Sequence, residues 1–521
     1  MESKLQIKTR WQQEDAGEEP VSPSGQYFNS KTLSVCILAV LESEIPIDDS
    51  CAMDLLQNLF LPINPRFSSI MVSDKKGLKK WKKVELNLEN HINIPKHPEG
   101  LSIEEYDDCF DKYLTKIAMD PLPQDRPLWE IHITKYPTSK AAGNLIFKLH
   151  HALGDGFSLM GALLSCLERA DNPSLPLTFP SFQPSSTAKT TAMGVIGCIT
   201  RTLSPIYNTT RDFGWSVLKS SLIADDKTPI RSGEDAVELR PIKISTVALS
   251  LDQIAKIKTT LEATINDVLT GIVFLGTRLY MEETGKGFGD SQSTALVLLN
   301  TRNISGYKSV QEMLKPDDKT KWGNQFAFLH VAVPELVNDQ YSDPLDFVAQ
   351  AQKIIKRKRD SLAVYLTGQS LETIRKFRGP EVTVLQTTLQ STQFGNEIPS
   401  LKGSQQLSSL VGFHQAGPVP LAKAILAAAQ FIHGTLKNSS MTISNVIGPV
   451  EQMALANHTC KGLYFMVVGV PQNLTITILS YMRTLRIAVG AEKGHIDSQK
   501  FNSCIGKAFE LMYKAANKSA L

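Results

Sequence analysis

The feature that most constrains the fold is the junction "NLIFKLHHALGDGFSLMGALL", residues Asn144 to Leu164, where the spacing of apolar residues changes. Up to His151 the side chains are expected to alternate between two faces, which is typical of a β-strand. Beyond Gly156 the apolar residues recur at helical spacing. The sequence therefore predicts a strand that turns directly into a helix, with two histidines at the corner.

Strand alternation sends the two histidines to opposite faces: Leu145, Phe147, Leu149 and His151 on one, and Ile146, Lys148 and His150 on the other. A histidine at the end of a buried strand can take and return a proton near neutral pH, because its ordinary pKa is about 6.5. His151 is therefore the candidate general base. Asp155 and Gly156 are expected to shape the turn, with Asp155 orienting the corner through hydrogen bonds or an arginine partner.

Three other interpretations of the histidines compete with this one. A single histidine on an apolar face is usually a core residue, but the double histidine with Asp-Gly at fixed distance favours a site. The other histidines form no H-x-x-x-H or H-E-x-x-H set, so no metal site is predicted. The sequence contains no G-x-S-x-G, which disfavours a serine hydrolase.

The rest of the chain alternates between strand-like and helix-like segments, so we expect a mixed α/β fold. With 521 residues, of which 42% are hydrophobic, the chain is long enough for two cores. We predict a disordered head at residues 1–21, an N-terminal domain at 22–170, a linker at 171–240 and a C-terminal domain at 241–521. The linker begins in a segment rich in Pro, Ser and Thr.

Composition limits the partners and the compartment. A formal charge of +3 is too small for a protein whose main task is to bind nucleic acid. Seven scattered cysteines without a C-x-x-C pair, and a polar N-terminus, are typical of a reducing compartment and of a cytosolic face. No run of about 20 apolar residues clearly spans a membrane. Residues 192–222 suit either a helix lying on a bilayer or an ordinary packed helix.

The segment "HHALGDG" matches the HHxxxDG signature of the CoA-dependent acyltransferase superfamily. Further motifs resemble the plant wax ester synthase/diacylglycerol acyltransferase family in order and approximate spacing: SPSGQYFNS, NPRFSSIM, DRPLWEIHI, TINDVLTG, LLNTR, WGNQFAFLHV and SNVIGP. The resemblance implies two domains like that of chloramphenicol acetyltransferase, each a mixed sheet flanked by helices, with an active-site tunnel between them.

The resemblance also implies an activity and a set of roles. The implied reaction moves a fatty acyl group from acyl-CoA to a long-chain alcohol or to diacylglycerol, without an acyl-enzyme and with acyl-CoA as a substrate, so no cofactor is expected. The roles fall on residues that match the family motifs: His151 as the base, His150, Asp155 and Gly156 as support, Pro127, Leu128 and Trp129 on the acceptor side, Asn266 as a candidate oxyanion donor and Asp267 beside it.

Two rival functions stay open at this point. One is a BAHD or condensation-like acyltransferase for soluble alcohols or amines, although "DFGWS" at Asp212 to Ser216 lies far from where BAHD enzymes have their DFGWG element. The other is a lipid-binding protein that kept the fold and lost the activity. The lipid substrates favour the cytosolic face of the endoplasmic reticulum membrane, peripheral or single-pass, with the plasma membrane as the alternative.

Overall fold

The computed structural model describes residues 19–30, 32–74, 79–178, 212, 214–285, 287–302, 322–336, 343–359 and 421–518. Most of the predicted head and residues 192–211 of the candidate membrane-contacting segment lie outside these residues. Among those described, no helix is both long enough and apolar enough to cross a bilayer.

The α-helices used below are numbered in chain order: α1 Pro23–Phe28, α2 Ala52–Leu55, α3 Ile103–Met119, α4 Gly156–Ser165, α5 Leu251–Thr260, α6 Ile265–Thr284, α7 Asp346–Arg359, α8 Leu421–Lys437 and α9 Ser498–Lys518. The strands are β1 Glu19–Pro20, β2 Cys36–Ser43, β3 Ser69–Ser73, β4 Lys79–Lys83, β5 Ile92–Asn93, β6 Trp129–Thr134, β7 Gly143–His150, β8 Glu168–Arg169, β9 Ile242–Ser250, β10 Thr294–Asn300, β11 Phe326–Ala332, β12 Met441–Ile447, β13 Met453–Leu455, β14 His458–Val468, β15 Leu474–Tyr481 and β16 Thr484–Glu492.

The first large sheet has seven strands in the order β5-β6-β7-β2-β14-β13-β8. Its centre is antiparallel, with His150 of β7 opposite Cys36 of β2, and Cys36 opposite Val468 of β14. Strands β13 and β14 come from the part of the chain predicted to be the C-terminal domain, so strand pairing does not follow a single break in the chain. The predicted domain boundaries stay a prediction.

The second sheet has six strands in the order β11-β10-β12-β15-β16-β9. Strands β10, β12 and β15 are parallel, and β11 runs antiparallel beside β10. The sheet packs on α5, α6, α7 and α9 around one large hydrophobic core. Because β10 and β12 end at the edge where β11 begins, Arg302, residues 322–325 and Val446 come together there.

The two faces of β7 belong to different cores, as the alternation predicts. Phe147 and Leu149 pack with Trp129 and with α4 in one core. Ile146 packs with Leu114 of α3 in the other. Strand β7 is therefore covered on both sides, which fixes the direction of the turn that follows it.

A buried ion pair connects the two sheets. Arg486 of β16 donates from Nη1 to both carboxylate oxygens of Glu42 on β2, at 2.6 Å each. Gly462 of β14 makes room for the pair, because a Cβ atom there would lie 2.1 Å from Glu42 Oε2. The sheets thus meet closely beside the start of β7, where Glu42 lies opposite Asn144.

Candidate active site

The predicted strand-to-helix corner is present. Strand β7 ends at His150, and α4 begins at Gly156. Asp155 caps the helix, its Oδ1 accepting the backbone N–H of Ser158 at 3.0 Å. Gly154 and Gly156 do not have positive φ angles. Gly154 instead allows a close approach, because a Cβ atom there would lie 3.0 Å from Ser158 Cβ.

His150 is fully buried and fixed in one tautomer. Its Nδ1 accepts the N–H of Ala152 at 3.1 Å, so the proton of the neutral ring lies on Nε2, 3.4 Å from Ser34 Oγ. Burial lowers the pKa of His150 to about 3, with a further contribution from the neighbouring His151. A ring that stays neutral and has both nitrogens engaged can support the corner but is not placed to exchange protons.

His151 is held by Asn324. The Asn324 Nδ2 donates to the backbone carbonyl of His151 at 2.9 Å, and Asn324 Oδ1 lies 2.9 Å from His151 Nδ1. Because a carbonyl oxygen only accepts, the amide nitrogen must face it, and the amide oxygen must then accept from Nδ1–H. His151 Nε2 is left with its lone pair, as a general base requires.

Burial lowers the pKa of His151, partly offset by the Asp155 carboxylate, by the carbonyl of His151 itself and by Asn324. The ring lies against Phe28 of α1 and Phe326 of β11, with centroid separations of 4.6 and 5.6 Å. His151 follows the last residue of β7, and its backbone N–H still donates to the Val35 carbonyl at 2.8 Å, next to the β2–β7 pairing. That His151 shares the face of Phe147 stays a prediction.

Asp155 forms a buried pair with Arg302, which lies just after β10. The two Arg302 Nη atoms lie 2.6 and 3.1 Å from the two carboxylate oxygens of Asp155. Arg302 Nη2 also donates to Ser158 Oγ at 3.1 Å and to the Gly323 carbonyl at 2.6 Å. Asp155 thus connects the strand-to-helix corner to the second sheet through Arg302. Its contacts are with the protein itself, as expected for a structural carboxylate.

The segment before β11, residues 322–325, runs alongside the turn and donates a series of hydrogen bonds to it. Trp322 Nε1 donates to the Leu153 carbonyl at 2.7 Å, Gly323 N donates to Ser158 Oγ at 3.2 Å, and Gln325 N donates to Asp155 Oδ2 at 2.9 Å. Sequence reasoning noted this segment only as part of a family motif and gave it no role. Nothing in its local spacing indicates that it holds the strand-to-helix corner.

Two family models match the chain over most of its length. The model described as the wax ester synthase/diacylglycerol acyltransferase catalytic domain matches residues 65–269, and that of the WS/DGAT C-terminal domain matches residues 322–414 and 405–513. The chain belongs to the wax ester synthase/diacylglycerol acyltransferase family. The resemblance stated from the motifs is confirmed, and with it the predicted enzyme class, an acyltransferase.

Relatives in Arabidopsis thaliana match nearly end to end. Wax ester synthase/diacylglycerol acyltransferase 4 is 26% identical over 495 residues, which cover 91% of this chain and 85% of that protein. Wax ester synthase/diacylglycerol acyltransferase 2 is 27% identical over 519 residues, covering 96% of each. The solved wax ester synthase/diacylglycerol acyltransferase of Marinobacter aquaeolei VT8 is 15% identical with a TM-score of 0.53, covering 96% of this chain and all of that one. This likeness and the two sheets confirm the predicted fold class.

Two family-motif residues at the start of α6 lie apart from the histidines. Asp267 is buried and forms a capping box with Thr264, accepting from its backbone N–H at 2.9 Å and from its hydroxyl at 2.8 Å. Asn266 is exposed, and its Oδ1 accepts from the side chain of Asn445 on β12. Asn445 directly precedes Val446, which faces Gly156. Asn266 thus lies near the site but makes no described bond to it, and its oxyanion role stays a prediction.

The "PLW" motif of the family packs beneath the corner. Trp129 is fully buried, and its ring stacks on His91 with a centroid separation of 4.1 Å. The Leu128 carbonyl accepts the backbone N–H of His150 at 3.0 Å, and the Pro127 carbonyl accepts that of Trp129 at 2.8 Å. The three residues support β7, and their predicted place on the acceptor side stays a prediction.

Cavities lie on two sides of the corner. One of about 60 Å³ is lined by Phe28, Asn324 and Phe326, the residues that contact His151. A small one of about 20 Å³ lies between α4, the first sheet and Val446. A larger cavity of about 80 Å³, here called the sheet cavity, lies under β6, β7 and residues 52–60. Phe147 lines both this cavity and the small one.

Within the described ranges, no cluster of three or more His, Cys, Asp or Glu residues could hold a metal ion.

Proposed function

We propose that this chain transfers a fatty acyl group from acyl-CoA to the hydroxyl of a long-chain alcohol or of diacylglycerol, with His151 as the general base. The observation that carries the proposal is the Asn324 amide, which fixes the proton on His151 Nδ1 and leaves Nε2 free. Membership of the family supplies the reaction class. The lowered pKa of His151 keeps the ring neutral at pH 7, so the base is ready before substrate arrives.

In the proposed reaction, Nε2 takes the hydroxyl proton as the acceptor oxygen attacks the thioester carbonyl carbon. The carbon–sulfur bond then breaks, and the proton passes from Nε2 to the departing thiolate, so that the products are an ester and CoA with a free thiol. General base catalysis supplies about 10²–10⁴-fold of the rate, and alignment of the two substrates supplies much of the remainder.

The sheet cavity suits the fatty chain of the donor. It is lined mainly by apolar side chains, and Leu149, Phe147 and Leu145 form an apolar floor that leads from the corner toward it. Leu145 lies six positions before His151 along the chain, or about 20 Å in extended geometry. Each buried methylene contributes about 0.8 kcal/mol, so cavity length would set the chain-length preference.

We also propose that the protein works at the cytosolic face of the endoplasmic reticulum membrane, because its proposed substrates partition into bilayers. Residues 192–222 would provide the contact. If they lie on the surface, high salt or carbonate should release the protein from membranes, whereas a spanning segment would resist both treatments. The scheme needs neither a metal nor a cofactor.

The test uses the purified full-length chain with labelled palmitoyl-CoA and, separately, hexadecanol, dioleoylglycerol and a soluble alcohol. We expect labelled ester from at least one of the two lipid acceptors. Turnover of only the soluble acceptor would contradict the proposal and favour a BAHD-like activity. Binding of the lipids without any ester would favour the catalytically silent alternative.

A further inference from the structure

The cavity of about 60 Å³ beside His151, here called the aromatic pocket, has mainly aromatic and aliphatic walls. Phe28 and Phe326 form the end that contacts the His151 ring, and Phe328, Phe431 and Ile432 form much of the remainder. The pocket lies between α1, β11 and α8. A substrate that reaches His151 from this side would pass along it.

Five polar side chains interrupt these walls: Ser24, Ser216, Asn324, His330 and Thr435. His330 of β11 and Thr435 of α8 both line the aromatic pocket, with only 6% and 2% of their surfaces exposed. Within the described part of the chain, His330 Nε2 and Thr435 Oγ1 have no hydrogen-bond partner. His330 Nδ1 lies 3.2 Å from Ser216 Oγ, which can donate to it and leave Nε2–H free to donate into the pocket.

Burial and the nearby lysine charges lower the pKa of His330 to about 3, so the ring is neutral and offers a donor without a charge. Buried polar atoms are normally paired, and an unpaired donor inside an apolar wall indicates a group that arrives from outside the chain. A saturated alkyl chain would leave both atoms unpaired, whereas a chain that carries an ester oxygen would pair them.

We propose that the aromatic pocket receives the acyl acceptor and that His330 and Thr435 select acylglycerols over simple alkanols, by donating hydrogen bonds to an ester oxygen beyond the reacting hydroxyl. This inference rests on the proposed function. His330 lies four residues along β11 from Phe326, a residue that contacts His151, or about 13 Å away. This distance is too long for His330 to take part in the proton transfer, so we assign the two residues a role in specificity.

The test compares kcat/KM for dioleoylglycerol and for hexadecanol at saturating palmitoyl-CoA in the wild-type chain and in Thr435→Val. Valine keeps the shape of threonine and replaces the hydroxyl with a methyl group. We expect the diacylglycerol-to-hexadecanol ratio to fall about tenfold, the effect of one hydrogen bond of about 1.4 kcal/mol, because only diacylglycerol loses a hydrogen bond in the variant. Thr435→Ser restores a hydroxyl and should restore the ratio. His330→Leu should lower the ratio in the same direction.

Two results would overturn the inference. An unchanged ratio in both variants would mean that the polar atoms face only water. An equal loss of kcat/KM with both acceptors, together with a raised KM for palmitoyl-CoA, would mean that the pocket binds the CoA part of the donor. Calorimetric binding of dioctanoylglycerol to the wild type and to Thr435→Val separates this inference from the proposed function. Weaker binding by the variant supports the inference even if no ester forms, and equal binding contradicts it.

Discussion

Asn324 holds His151 through both polar atoms of its amide, with Nδ2 on the His151 carbonyl and Oδ1 on the ring Nδ1, each at 2.9 Å. The two bonds depend on each other, because reversing the amide would place two acceptors, Oδ1 and the carbonyl oxygen, against each other. A residue that lies just before a strand of the second sheet thus fixes the proton of a ring at the end of a strand of the first sheet.

Asn324→Asp should move the acid limb of the pH–rate profile to higher pH. A carboxylate beside Nδ1 favours the protonated ring and so raises the pKa of His151, by about one unit or more. Asn324→Leu adds no charge, so it should lower kcat without this upward shift. The measurement is kcat/KM for palmitoyl-CoA transfer between pH 5 and 9. Identical profiles for the wild type and Asn324→Asp would show that the amide does not act on the ring.

Arg302→Met should destabilise the protein strongly. The substitution leaves the Asp155 carboxylate buried without its cation, and breaking such a pair costs about 3–5 kcal/mol of unfolding free energy. Arg483→Met provides the matched control, because Arg483 pairs with Asp252 at the surface and its loss should change the unfolding free energy little. Urea unfolding followed by tryptophan fluorescence measures both variants. Equal effects would mean that the Asp155–Arg302 pair is not a structural link.

The strand-to-helix corner was predictable because its signals are local. The change from alternation to helical spacing falls between His151 and Gly156, and Asp155 lies three residues before the N–H that it caps. The assignment of Phe147 and Ile146 to opposite faces follows from the same local geometry.

The partners of the corner were not predictable, because they depend on which strands share an edge. Arg302 lies 147 positions from Asp155, and Asn324 lies 173 positions from His151. The motifs that contain them were visible in the sequence, but their roles follow from the common edge of β10 and β11. The exposure of Asn266 and the pairing of β14 in the first sheet were not predictable for the same reason.

The buried His150 should make the protein less stable in acid. Its pKa is about 3 in the folded chain and about 6.5 when unfolded, so between these values the unfolded chain binds more protons. Its contribution to stability is complete above pH 6.5 and declines as the pH falls toward 3. At pH 5 the loss from this residue is about 2 kcal/mol.

The variant His150→Asn tests this expectation, since its Oδ1 can still accept the Ala152 N–H and the side chain does not titrate. We expect the difference in urea midpoint between pH 7.5 and pH 5 to be smaller in the variant than in the wild type. The same pH dependence in both proteins would assign the acid sensitivity to other groups.

Leu145→Phe should shift donor preference toward shorter chains. Leu145 lines the sheet cavity, and the larger ring would fill part of its 80 Å³. We expect the ratio of palmitoyl-CoA to octanoyl-CoA turnover to fall by about tenfold, since the displaced part of the chain loses about two buried methylenes. Leu239→Phe, the same change at a residue that is 73% exposed, should leave the ratio unaltered. An unaltered ratio in Leu145→Phe would place the donor chain elsewhere.

The most direct test of the central claim is the rate of ester formation by His151→Ala with palmitoyl-CoA and whichever lipid acceptor the wild type uses. If His151 is the general base, kcat should fall by about 10²–10⁴-fold while the variant still binds acyl-CoA. His150→Asn, measured beside it, should retain far more activity. A His151→Ala variant with wild-type kcat would contradict the assignment of the base and the mechanism built on it.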